Sequence, residues 1–215
     1  TGADTGREKP GLQPIEQVLA AVLQAAGVAP FCELKTSSGE RPVCVQQIYY
    51  RQGPAAYLAL MRDFRMRGLP AQEARLRLPA PAYVYDLRAG KGLGRLQEWS
   101  VRLARGYPHV FALLPYQVRA VKANVAARAG RGSTLPVRVG VEVSEGKPAD
   151  HVVRVEVFAP GRATAHRQYS QNVLCQGGEG VASVPFALND ATGVWRFVFR
   201  DVATGVSTTA KVEVK

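Results

Sequence analysis

Cysteine, histidine and methionine are scarce in this 215-residue chain, with three, three and two copies, and that scarcity excludes whole classes of chemistry. Cys32, Cys44 and Cys175 show no C-x-x-C spacing and have only His109, His151 and His166 for company. Neither a zinc centre nor a dithiol redox motif is expected from such a set, and no metal or cofactor is expected. Cys32 and Cys44 flank the turn Ser37-Ser38-Gly39-Glu40 and would face each other across a hairpin. A cross-strand disulfide in an oxidising compartment and a pair of free thiols both remain open at this stage.

Long apolar runs are missing too. No stretch approaches the roughly 20 consecutive apolar residues of a membrane-spanning helix, so insertion into a membrane is not expected. The N-terminus, TGADTGREKPG, is polar where a signal peptide carries an apolar core. The chain is equally compatible with being a fragment whose targeting signal lies upstream.

Acidic residues are the third shortage, with 17 Asp and Glu against 28 Lys and Arg, a formal charge of +11. Residues 51–131 hold 15 of the cations and only 4 of the acids, so the excess sits in the middle of the chain. There the cations alternate with aliphatics, as in Arg75-Leu76-Arg77-Leu78 and Val101-Arg102-Leu103. Alternation of period two puts arginines on the solvent face of strands and aliphatics inside.

Such a face is either simply solvated or a surface for an acidic partner. In the second case Arg62, Arg102 and Arg105 are the cationic candidates, with Trp99 and Tyr107 as stacking aromatics for a sugar ring. Tyr169 is a further aromatic candidate of the same kind. Nucleic acid is not expected, because no recognition helix or RNA-binding aromatic motif is present.

What is abundant is strand signal. Residues 1–13 read as a flexible N-terminus. Pro14 then opens a helix with Ile15, Val18, Leu19, Val22 and Leu23 at helical spacing, closed by Gly27. Residues 14–117 read as this helix plus an antiparallel β-sandwich domain, although AAYLALMRDFRMR within 54–67 fits helix and strand equally. Residues 118–215 read as a seven-strand immunoglobulin-like sandwich, with turn clusters about every ten residues. Trp195, Phe197 and Phe199 share one face of a strand there and are expected as core anchors. The expected fold class is therefore mainly β: two antiparallel β-sandwich domains, the second immunoglobulin-like, with one short N-terminal helix.

Catalysis finds no constellation. Retaining glycosidases need two carboxyl groups about 5–5.5 Å apart, one in an apolar setting that raises its pKa. Asp63, Glu73, Asp86 and Glu98 instead stand among arginines, which favour the ionised form. Asp86 and Asp201 read as strand-end turn or ion-pair residues. The three histidines accompany no nucleophile elbow. The glycines of Arg88–Gly94 follow G-x-G-x-G, which matches neither phosphate loop, and are expected to serve a hairpin turn.

Three stretches carry a resemblance. YVYDLRAGKGLG (Tyr83–Gly94), PHVFALLPYQV (Pro108–Val118) and LNDATGVWRFVFRDVATG (Leu188–Gly205) together resemble the C-terminal, non-catalytic end of large bacterial glycosidase-like proteins. In that family a β-galactosidase trimerisation-like, glutamine-amidotransferase-like domain is followed by β-sandwich modules. The last stretch also resembles macroglobulin-like and other immunoglobulin-type domains of secreted bacterial proteins. The resemblance spans about Pro14 to Val214, rests on turns and strand cores, and carries over no catalytic residue. It implies an extracytoplasmic protein whose catalytic carboxylates lie on an upstream domain of the same polypeptide.

The expectation is thus a non-enzymatic accessory or scaffold region of a multidomain carbohydrate-active protein. Its role would be interdomain packing or oligomerisation. The alternative is a carbohydrate- or cell-envelope-binding module that recognises an anionic glycan through the basic middle segment.

Overall fold

The computed structural model describes residues 13–63, 65, 68 and 70–215. The expected flexible N-terminus, apart from Gln13, lies outside the described residues. The first described element is α1, Gln13–Ala25. Gly27 ends it at φ +72°, donating to Gln24 O at 3.0 Å while Val28 N–H reaches Leu23 O at 2.8 Å. This paired arrangement is the Schellman stop, and it needs a left-handed residue at this position, which is why glycine stands there.

Six strands follow: β1 (Glu33–Thr36), β2 (Val45–Gln52), β3 (Ala55–Arg62), β4 (Gln72–Asp86), β5 (Lys91–Leu103) and β6 (Pro108–Leu114). They hydrogen-bond in the order β1-β4-β6-β3-β2, with β5 on β4. The ambiguous stretch within 54–67 is a strand as far as Arg62; residues 64, 66 and 67 lie outside the described residues. The Arg88–Gly94 glycines serve the β4–β5 hairpin, with Gly90 and Gly94 in the left-handed region.

Eight more strands complete the chain: β7 (Val118–Val125), β8 (Arg128–Ala129), β9 (Thr134–Val143), β10 (His151–Phe158), β11 (Gln171–Cys175), β12 (Glu179–Pro185), β13 (Gly193–Asp201) and β14 (Ser207–Val214). Seven of them form a sandwich of two antiparallel sheets, β11-β10-β13-β14 and β12-β9-β7. The two-residue β8 adds a parallel edge to β14. The fold class expected from the sequence holds: mainly β, antiparallel, one short helix, and an immunoglobulin-like sandwich at the C-terminal end.

The described residues fall into two compact units, one within Thr1–Gln47, Leu60–Pro81 and Gln97–Pro108, the other within Ile48–Ala59, Ala82–Leu96 and His109–Lys215. In the first, alternation sorts residues as expected. Ala74, Leu76, Leu78, Val101 and Leu103 are buried, whereas Glu73, Arg75, Arg77 and Arg102 are exposed.

In the second unit one core fills the space between the sandwich sheets. Val153, Val155, Val157, Trp195, Phe197 and Phe199 meet Leu135, Val137, Val139 and Val141. Phe197 and Phe199 stack 6.2 Å apart, and Trp195 takes Phe186 edge-on at 5.1 Å while its indole N–H donates to Ala191 O at 2.9 Å. Burial of large aromatics dominates the stability of such a core.

Phe197→Ala should therefore destabilise the protein by about 3–5 kcal/mol, the range for emptying a buried aromatic site, whereas Val198→Thr on the outward face of the same strand should cost under about 1 kcal/mol. Urea unfolding of both variants checks the assignment.

Candidate functional site

The strands that place the hydrophobic core also place a polar cluster inside it. His151 opens β10 on the inward parity of Val153, Val155 and Val157, and Asp201 closes β13 on the inward parity of Phe197 and Phe199. Because Val153 lies opposite Asp201, His151 falls diagonally across from the carboxylate. His151 Nδ1 and Asp201 Oδ1 are 2.9 Å apart. On the other side of the ring, Nε2 lies 3.1 Å from Tyr116 Oη.

Every group in the cluster is matched by one proton assignment. Ala149 N–H donates to Tyr116 Oη at 2.6 Å, Tyr116 donates its hydroxyl hydrogen to His151 Nε2, and His151 donates from Nδ1 to Asp201. The second carboxylate oxygen accepts from Thr204 N–H at 3.0 Å and from Thr204 Oγ1–H at 2.5 Å. Burial pushes the Tyr116 hydroxyl above its ordinary pKa, with the Ala149 N–H pulling the other way.

An acid, an imidazole and a phenol in series look like a proton relay. The burial says otherwise: His151 is 3 % exposed, Tyr116 2 % and Asp201 0 %. Three open depressions of about 400, 470 and 410 Å³ are lined instead by first-unit residues such as Lys35, Glu73, Arg75 and Cys32, and none of the three contains a member of the cluster. The cluster is a fully satisfied polar core, able to lock strands and poorly able to meet a substrate.

The residues picked from the sequence scatter. Arg62 is buried, donating from Nη1 to Pro70 O, so its guanidinium does not face solvent. Its parity explains this, because Ala56, Leu58, Leu60 and Arg62 share the inward face of β3. Trp99 is also inward, with Val101 and Leu103, and Tyr169 is buried against Phe186 and Trp195. Arg102 is exposed and lies 3.9 Å from Glu73, while Arg105 and Tyr107 are exposed just beyond β5. Of the three candidate stacking aromatics, only Tyr107 faces outward, so no aromatic platform forms among them.

The carboxylates behave as strand-end groups. Asp63 accepts from Arg65, whose guanidinium holds its pKa below the usual carboxylate range. Asp86 accepts from the N–H groups of Arg88 and Ala89, both at 2.9 Å, and caps the β4–β5 turn. Asp201 serves both as turn residue and as partner of His151. The His151 pairing was invisible in the sequence because its partner is 50 residues away.

All three cysteines are free, which settles the open disulfide question: Cys32 is buried and directs its thiol at Gln47 Oε1, 3.4 Å away, while Cys44 is exposed at φ +57°. Burial pushes the Cys32 thiol up to about 11, and burial with the charges of Asp201 and Glu179 does the same for Cys175.

No protein-family model matches the chain, and no curated protein matches it. Among solved structures it is weakly similar to Salmonella α2-macroglobulin reacted with methylamine, at 13% identity and a TM-score of 0.35, over 74% of this chain and 18% of that one. A superoxide reductase (neelaredoxin) from Ignicoccus hospitalis matches at 12% identity and a TM-score of 0.33, over 46% of this chain and 82% of that one. A chimeric titin Z1Z2 tandem matches at 15% identity and a TM-score of 0.28, over 68% of this chain and 91% of that one. The chain thus spans less than a fifth of the macroglobulin it resembles.

Two outcomes follow from this geometry. Tyr116→Phe removes the acceptor for Ala149 N–H and the partner of His151 inside the core, so urea unfolding should show a loss of about 1–3 kcal/mol. In the native protein at pH 8, a thiol-reactive reagent should titrate Cys44 alone. The raised thiol pKa values also set an alkaline limit. Their contribution is intact below the unfolded value of 9.0 and is lost as pH rises from there towards about 11, because only the unfolded chain ionises freely in that window.

Proposed function

We propose that this chain is a non-catalytic β-module that works by docking, holding or orienting a neighbouring polypeptide. The observation that carries this reading is α1. Ile15, Val18, Leu19, Val22 and Leu23 are each about half or more exposed, from 49 % for Leu23 to 62 % for Val18. An isolated 13-residue helix is marginal in water, and most helical stability in proteins comes from packing an apolar face. An apolar stripe left open on so short a helix calls for a partner that covers it.

Two further observations support docking over chemistry or sugar stacking. The acid–imidazole–phenol series is sealed, and two of the three candidate stacking aromatics are buried. Strand β2 adds a second open element, with Ile48 and Tyr50 exposed at the end of the strand order. Exposed apolar edge strands are ready templates for pairing with another chain. The partner implied by the resemblance of Tyr83–Gly94, Pro108–Val118 and Leu188–Gly205 is the catalytic portion of an extracytoplasmic carbohydrate-active protein. That identity rests on the sequence resemblance alone.

Sedimentation and apolar-dye binding test the docking role. The isolated chain should bind the dye and associate with rising concentration, and Val18→Asp with Val22→Asp should remove both effects while leaving the unfolding of the C-terminal sandwich unchanged. A wild-type chain that stays monomeric and binds no dye would remove α1 as a docking element. Turnover of aryl glycosides or aryl esters that disappears in His151→Gln would instead reveal an enzyme.

A further inference from the structure

The outer face of the β11-β10-β13-β14 sheet carries arginines that no ion pair among the described residues compensates. With Val153, Val155 and Val157 inward on β10, the outward residues are Val152, Arg154, Glu156 and Phe158; on β13 they are Val194, Arg196, Val198 and Arg200. The register puts Arg154 directly opposite Arg200, flanks the pair with Asn172 on β11 and Ser207 on β14, and sets Lys211 opposite Arg196. Like charges directly opposed across two strands are destabilising.

The carboxylates of this face, Glu156 and Glu213, do not pair with them. Among the described residues neither Arg154 nor Arg200 has a carboxylate within 4.0 Å; the Arg154 guanidinium reaches only Asn172 Oδ1, at 3.4 Å. Glu156 lies one row on, opposite Val198, and Glu213 is taken by Arg128 at 3.2 Å and Lys215 at 3.7 Å. Arg196 lies over the Phe158 ring, 3.8 Å from its centroid. The first unit supplies the comparison. Lys35 stands opposite Arg75 there, but Lys35 pairs with Glu33 at 3.5 Å and Arg75 with Glu98 at 3.2 Å. The Lys35/Arg75 pair is thus neutralised, whereas the Arg154/Arg200 pair is left open.

From this we infer that the β10/β13 face binds an acidic polysaccharide, its carboxylates bridging Arg154 and Arg200 and its hydroxyls meeting Asn172 and Ser207. Guanidinium groups hold carboxylates through two parallel hydrogen bonds, and neutral amide and hydroxyl side chains on both flanks suit a polyol. Both arginines stand on interior strands, where an acidic peptide has no free backbone edge to join. Single-stranded nucleic acid would need open aromatic faces, and the Phe158 ring is already covered by Arg196. No residue of this surface belongs to α1 or β2, and the inference stands without them.

Titration of the full chain with polygalacturonate at low and at physiological salt tests the inference, with polyglutamate and duplex DNA as comparators. Saturable polygalacturonate binding is expected that weakens with salt. It should fall at least tenfold in Arg154→Gln with Arg200→Gln, and several-fold when both become Lys. Arg75→Gln with Arg77→Gln should leave it unchanged. At low salt Arg200→Gln alone should raise Tm, since the opposed charge is gone. Absent or unsaturable binding, binding that survives loss of both arginines, a preference for polyglutamate or DNA, or a Tm that falls in Arg200→Gln would each overturn the assignment.

Discussion

The hydrogen bond between His151 and Asp201 is the constraint around which the C-terminal sandwich is organised. Both side chains sit where the hydrophobic pattern of their strands demands an apolar group, at the inward ends of β10 and β13. A buried polar group without a partner costs about 1–3 kcal/mol, and more when charged, so each residue is tolerable only because the other is in place. A slip of one residue between β10 and β13 would turn one of them outward and leave the other orphaned. The bond therefore specifies register as well as contributing energy.

Its influence spreads through the second acceptors. Asp201 also fixes Thr204, and the backbone of the same turn closes through Gly205 N–H to Asp201 O at 2.9 Å, so the β13–β14 connection is shaped by one carboxylate. Tyr116 ties the segment before β7 to Ala149, just ahead of β10. A contiguous polar chain thus joins three connections at one end of the sandwich. Partial satisfaction of such a network is worse than an apolar core, which is why every atom in it has a partner.

Much of this architecture was legible in the sequence, and what was not shares one physical reason. The inward run Leu76, Leu78 with outward Arg75, Arg77, the Trp195-Phe197-Phe199 face and the Gly27 helix stop are local patterns, set by residues a few positions apart. Arg62 is a surface candidate only while helix and strand fit its segment equally. Once β3 is a strand, parity with Leu58 and Leu60 sends it inward. Trp99 is a stacking candidate only while its register is unknown, and the parity it shares with Val101 and Leu103 takes it inward. The His151–Asp201 bond and the Arg154–Arg200 opposition depend on strand pairing between residues about 50 positions apart, and a single sequence does not print that pairing.

Interior and surface of the same two strands then follow opposite rules. On the inward side of β10 and β13 every polar atom of the His151–Asp201 cluster is matched, so nothing is left over to bind or react. On the outward side two guanidinium groups face each other with the nearest carboxylates either a row away or already engaged. Surface ion pairs contribute little to stability, so pairing each arginine with a carboxylate would have added little to the fold. The same sites present much to a ligand, because an incoming carboxylate relieves the repulsion and gains two charge-assisted contacts at once. What the fold leaves uncompensated among the described residues therefore lies at its surface: Arg154 and Arg200 without a carboxylate within 4.0 Å on the β10/β13 face, and apolar side chains without cover on α1.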